Sequence, residues 1–152
     1  MFLTFFFVLL FYTGFSQAKA DLSRNNASPE RKAILNALKE ALRPDLNLTP
    51  KLVVKKLVTK NGFAYFIGRV KNEKGGEIDF RKTAYKEAVK EGVFDGDRTN
   101  ALLRKTGNKW KVLTFVIGPT DVPWGCWWKK FKAPKDIFDY TEKNCDYEER
   151  NK

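Results

Sequence analysis

Apolar and polar positions follow three different rhythms along this 152-residue chain. Between Pro29 and Leu42, the residues Ile34, Leu38 and Leu42, with Leu35, Ala37 and Ala41 beside them, recur every three or four positions. That spacing lays one apolar stripe along a helix. Ser28-Pro29-Glu30 supplies its start, because a serine oxygen can accept from unsatisfied backbone N–H groups and proline suits the first helical position. Pro44 has no N–H to donate and is expected to stop the helix. The rhythm then changes. "KLVVKKLVTK" (51–60) and "FAYFIGRVK" (63–71) read as two strands, joined by Asn61-Gly62, a pair that tolerates positive φ at both turn positions. Lys74-Gly75-Gly76 ends the second strand. "FRKTAYKEAVKEG" (80–92) predicts a short helix with Ala84, Tyr85, Ala88 and Val89 on one side and Gly92 as its cap. "RTNALLRK" and "KWKVLTFVIG" flank "TGN" and predict a second hairpin near Gly107-Asn108.

The strand at 110–118 carries the most information. In strict alternation Trp110, Val112, Thr114 and Val116 point one way, and Lys111, Leu113, Phe115 and Ile117 the other. Both faces are then largely apolar, so the strand needs cover on both sides. The helix at 29–42 can cover one. The segment that follows, "GPTDVPWGCWWKKFKAP", is the nearest cover for the other. The same segment also has the composition of a docking surface. Trp124, Trp127 and Trp128 beside Lys129, Lys130, Phe131 and Lys132 would suit an anionic lipid interface or stacking on sugars.

Helix, hairpin, connecting helix, hairpin is an α+β order: an N-terminal helix packed on a curved antiparallel sheet of about four strands, with one additional short helix. The order looks like the cystatin-like and NTF2-like architecture, a likeness of fold that carries no activity with it. Phe94-Asp95-Gly96, Ala101-Leu102-Leu103-Arg104, Trp110-Lys111-Val112 and Gly118-Pro119-Thr120-Asp121-Val122-Pro123-Trp124 are together similar to a family of short exported bacterial proteins. The resemblance covers residues 30–134. It implies an exported single-domain protein with no assigned reaction; Cys126 and the basic tail stand outside the shared pattern.

Composition adds a destination. Phe2–Phe15 is an almost unbroken apolar run, shorter than the ~20 residues a spanning helix needs. Ala18-Lys19-Ala20 after it fits the small-x-small pattern of a signal-peptide cleavage site, so residues 1–20 read as a signal peptide cut after Ala20 or after Gln17. Export to the periplasm or beyond follows, with no transmembrane span in the mature chain; a retained membrane anchor is the alternative. Residues 21–28 then form a flexible lead, 29–138 a single domain and 139–152 a charged tail. Loss of Lys19 takes the formal charge from +11 to +10. A field of that sign favours anionic partners: phospholipid head groups, lipopolysaccharide or teichoic acids, with nucleic acid disfavoured by export. In an oxidising compartment Cys126 and Cys145 are expected to pair, tethering the tail. The closed loop of about 20 residues would stabilise the fold by ~3 kcal/mol.

The chain has no histidine, which removes Ser-His-Asp and Cys-His catalysis and the commonest nitrogen ligand of zinc. Gly75-Gly76 lacks the Lys-Ser/Thr of a phosphate-binding loop. Asp95 and Asp97 begin like a calcium loop, but Thr106 stands where its closing glutamate should be. No cofactor or metal is expected. Asp79 and Asp121 remain as candidate pocket carboxylates, although Asp121 also suits a rigid turn whose backbone N–H it would accept. The reading these features support is an exported non-enzymatic binding or structural module of the bacterial envelope. One alternative is a small-molecule-binding protein or hydrolytic enzyme using an aspartate in a cone-shaped pocket. The other is an inhibitor of a partner protein acting through the hairpin loops.

Overall fold

The computed structural model describes residues 17–145. The apolar run Phe2–Phe15 and the end of the charged tail lie outside them. The fold is α+β. Helix α1 spans Pro29–Leu46, and β2 (Lys51–Lys60), β3 (Phe63–Lys71), β4 (Arg98–Thr106) and β5 (Lys109–Ile117) form two successive hairpins. A two-residue strand, β1 (Ala20–Asp21), makes a fifth member of an antiparallel sheet ordered β1-β2-β3-β4-β5. The sheet therefore has five strands rather than about four. The extra one comes from the start of the polar lead, where Leu22 is buried and its N–H donates to the Leu57 carbonyl at 2.8 Å.

Helix α1 starts as expected, with the Ser28 hydroxyl accepting from Arg31 N–H. It does not stop at Pro44. Ile34, Leu38, Leu42 and Leu46 continue one buried stripe at four-residue spacing, and burying Leu46 outweighs one lost hydrogen bond on the exposed side. Asn47, at φ 56°, caps the end in the left-handed region. The segment 80–92 also departs from one continuous helix. Phe80–Lys82 is a 3₁₀ turn, Thr83 Oγ1 donates to the Phe80 carbonyl, and Ala84 N–H is taken by the Asp45 carbonyl of α1. Helix α2 is left with Lys86–Lys90 only. A further short helix, α3 (Trp127–Lys130), follows the sheet. Among the described residues, no helix is long and apolar enough to cross a membrane.

Strand β5 does not alternate strictly. Leu102 pairs with Thr114 and Leu103 with Val112, so Leu113 is the extra residue of a β-bulge. The bulge reverses the face of everything after it. Trp110, Val112, Phe115 and Ile117 thus share the α1 side, with Leu57, Ala64, Phe66, Val70, Ala101 and Leu103. Val116 turns outward to the opposite face.

That opposite face carries a second core. Val58, Tyr65, Ile67 and Leu102 meet Trp124, Trp127, Ala133, Ile137 and Phe138 from an arm that crosses the sheet after β5. The arm covers mainly the central strands rather than β5 itself. Trp124 is 1% exposed and Trp127 6%. Aromatic side chains bury about 150–250 Å² each, so at ~25 cal/mol per Å² the two rings contribute several kcal/mol before entropy is counted. Trp124→Ala is expected to lower the unfolding free energy by about 3–5 kcal/mol in urea titrations. Trp128→Ala, at a half-buried ring, should cost clearly less. A Trp124→Ala loss under about 1 kcal/mol would show that the sheet does not need the arm.

Candidate functional site

Pins on both sides hold the arm. Cys126 and Cys145 stand at disulfide distance, Cα atoms 5.4 Å apart, and Glu142 N–H donates to the Gly125 carbonyl. Lys60 Nζ meets Asp136 Oδ2 at 2.9 Å, and Lys19 Nζ donates to the Asp136 carbonyl. The Lys60 hydrogen bond and charge hold the Asp136 carboxyl below the usual range. The described part of the tail, through Cys145, is thus bound to the arm.

At Asp139 the arm's apolar cover ends and a charged cleft begins. Two adjoining openings, of about 870 and 450 Å³, share Lys55, Ile67 and Asp139. Arg24, Lys56, Asp21 and Ser23 line the larger; Arg69 and Arg98 line the smaller. The strand geometry explains the crowding of cations. Lys55 is the extra residue of a bulge between Val54 and Lys56, so two consecutive lysines line one opening. Arg69 and Arg98 are direct cross-strand partners on the same face, an arrangement that costs stability through like-charge repulsion. Arg69 is compensated by Asp97 at 2.8 Å. Arg98 instead lies over the Trp124 ring, 4.8 Å from its centroid. Among the described residues Arg24, Lys55, Lys56 and Arg98 make no ion pair.

Two carboxylates share the cleft. Ser23 hydrogen bonds, helped by Lys56 and Arg24, hold the Asp21 carboxyl below the usual range. Asp139 Oδ1 accepts the Tyr65 hydroxyl at 2.9 Å, and Asn100 Nδ2 donates to the same hydroxyl at 2.7 Å. Tyr65 and Asn100 are fully buried. Burial, then the Asp139 charge, pushes the Tyr65 hydroxyl pKa up.

The residues singled out from the sequence are scattered. Trp124 and Trp127 lie inside the second core, out of reach of a stacking ligand. Trp128 is half-buried with Lys135 over its ring at 4.6 Å. Lys129, Lys130 and Lys132 stand on the exposed surface. Asp79 caps the 3₁₀ turn at Phe80 and pairs with Arg81, which holds its carboxyl low rather than raising it. Asp121 is exposed and accepts from Val122 N–H; it lines a separate opening of about 440 Å³ with Asp45, Tyr85, Phe94 and Phe115, and Asp79 is not part of that lining. Asp97 is buried between Arg69 and Lys71 rather than in a metal loop. No group of three or more His, Cys, Asp or Glu among the described residues could hold a metal ion.

Sequence reasoning missed the cleft because its cations come from four separated segments. The one local signal was the adjacent pair Lys55-Lys56 between the apolar runs Leu52-Val53-Val54 and Leu57-Val58. Comparison with known protein families, curated proteins and solved structures finds no match for this chain.

The Tyr65 network has a pH signature. A tyrosine raised above its usual value near 10 contributes stability below that pH, and the contribution is lost as the unfolded chain ionises first above it. Tyr85, raised by burial and by Asp45, acts in the same direction. Unfolding free energy should therefore fall above pH ~10, and Tyr65→Phe should flatten the fall by up to ~1.4 kcal/mol per pH unit. Equal alkaline slopes in both proteins would show that Tyr65 is not held neutral by the fold.

Proposed function

We propose that this chain is an exported, non-enzymatic binding module of the bacterial envelope that captures anionic envelope components. One observation carries the reading: Arg24, Lys55, Lys56 and Arg98, four basic side chains from three separate segments, converge on one cleft without ion pairs among the described residues. Gathering like charges costs free energy unless an anion enters. The +11 formal charge of the whole chain adds a field that draws such ligands in. The apolar Phe2–Phe15 run supports export, and a cysteine pair at disulfide distance is compatible with it. The element order supports a cystatin-like or NTF2-like outline, and kinship with short exported proteins remains part of this reading. The hydrolytic alternative finds no support at Asp79, which is ion-paired and held low instead of desolvated.

Binding to vesicles containing anionic lipid should weaken steeply with added salt. Replacing Arg24, Lys55, Lys56 and Arg98 together by Ala should reduce it at least tenfold, on a scale of ~1 kcal/mol per basic side chain near an anionic surface. Replacing Lys129, Lys130 and Lys132 should reduce it less. The opposite order would move the contact to the arm, and salt-insensitive binding would remove the electrostatic reading.

The fold also bears on processing. Lys19 donates to Asp136 and Ala20 pairs with Thr59, so a cut after Ala20 would discard both contacts. We infer that cleavage falls at or before the Ala18–Lys19 bond. Intact-mass measurement of the exported protein should show a mature chain that retains Lys19; a chain beginning at Asp21 would overturn this.

A further inference from the structure

Asp139 is an anion inside a cleft that collects cations. It lines both openings, so any ligand reaching from one to the other passes it. The arm places it there: Phe138 packs on the Tyr65 ring at 4.7 Å, and the Tyr65 hydroxyl, itself fixed by Asn100, takes Oδ1. Asp139 makes no ion pair among the described residues, although Arg98 and Lys55 line the same opening. Oδ2 makes no hydrogen bond among the described residues.

A carboxylate in this position repels a bare anion and is a strong acceptor for a hydroxyl. In the smaller opening, where Asp139 is the one carboxylate among the lining residues, a ligand that carries a hydroxyl beside its negative group gains from both the cations and the carboxylate. The cations also approach from three directions: the lead (Arg24), the β2 bulge (Lys55, Lys56) and the β3–β4 pair (Arg69, Arg98). Convergence of that kind suits a tetrahedral dianion better than a planar carboxylate.

Building on the anion-binding reading above, the geometry points to a phosphate ester of a polyhydroxylated compound, a phosphorylated polyol or sugar, as the ligand class. Its phosphate meets Lys55 and Arg98, which line the smaller opening together, and a neighbouring hydroxyl donates to Asp139. Tyr65 and Asn100 are positioning residues that hold the carboxylate. The smaller opening accommodates such a unit, and the larger leaves room for a chain of them.

Two probes of matched charge and carbon skeleton test this: glycerol phosphate, with hydroxyls, and propyl phosphate, without. Each is titrated into the mature protein and followed by backbone amide chemical shifts. Glycerol phosphate should bind about tenfold more tightly, the size of one hydrogen bond to a charged group. Asp139→Ala should bring the ratio close to one and strengthen propyl phosphate binding, since a repulsive charge is gone. Should Asp139→Ala fail to fold, Tyr65→Phe keeps the ring against Phe138 and is expected to cut the preference roughly threefold. Equal affinities in the unmodified protein, or a preference left undiminished by either substitution, would overturn the hydroxyl recognition while salt-sensitive binding of both probes left the anion reading standing. Failure of both probes to bind would overturn the two together.

Discussion

A sheet that is greasy on both sides cannot remain in water with one side bare. Strands β3 and β4 place Phe66, Ala101 and Leu103 on one face and Tyr65, Ile67 and Leu102 on the other, and all six are buried. Helix α1 can cover only the first. The need to cover the second accounts for the arm, its tryptophans and the pins that hold it. Lys60 and Lys19 fasten it at Asp136, Tyr65 fastens it at Asp139, and the Cys126–Cys145 pair ties the chain back on itself. These fastenings are polar and mostly peripheral, so they set the arm's position, while the buried rings supply the free energy.

Where that cover stops, the character of the outer face changes. Past Asp139 the side chains on the same surface are Arg69, Arg98 and the bulged lysines, with Ile67 at their base. The lid and the charged cleft therefore share one part, Trp124, which is buried in the second core and lies under the Arg98 guanidinium. An aromatic face holds that cation without neutralising it. Asp97 does the opposite for Arg69 and Lys71, drawing both into ion pairs at the start of β4. The result is an uneven distribution of compensation. Charges beside Asp97 are satisfied internally; Arg24 and Lys56 have the Asp21 charge nearby, and Lys55 is left to the solvent or a ligand.

Much of the backbone was legible from residue order. Both hairpins fall at the expected turns, with Asn61 and Gly62 both at positive φ and Gly107 at φ 61°. The start of α1 follows from Ser28-Pro29. The departures share one cause, in that distant contacts overrode local signals. Leu46 found a buried place beyond Pro44, the Asp45 carbonyl captured Ala84 N–H and broke the second helix, and Leu22 found Leu57 and drew the lead into the sheet. The bulge at Leu113 left no mark in the pattern, because β5 is apolar enough on both sides for either phase to look acceptable.

The sequence alone determined the α+β class, the two hairpin pairs, the absence of histidine chemistry and the demand for cover on two faces. Each of these follows from periodicity, turn residues or composition, which are local or global sums. It could not determine whether the tryptophans face inward, nor that Arg24, Lys55, Lys56, Arg69, Arg98 and Asp139 would meet. Those are questions of which face each residue occupies once two bulges have shifted the register, and of where a long arm comes to rest. Only packing in three dimensions decides them, because a one-residue slip exchanges the buried and exposed sets.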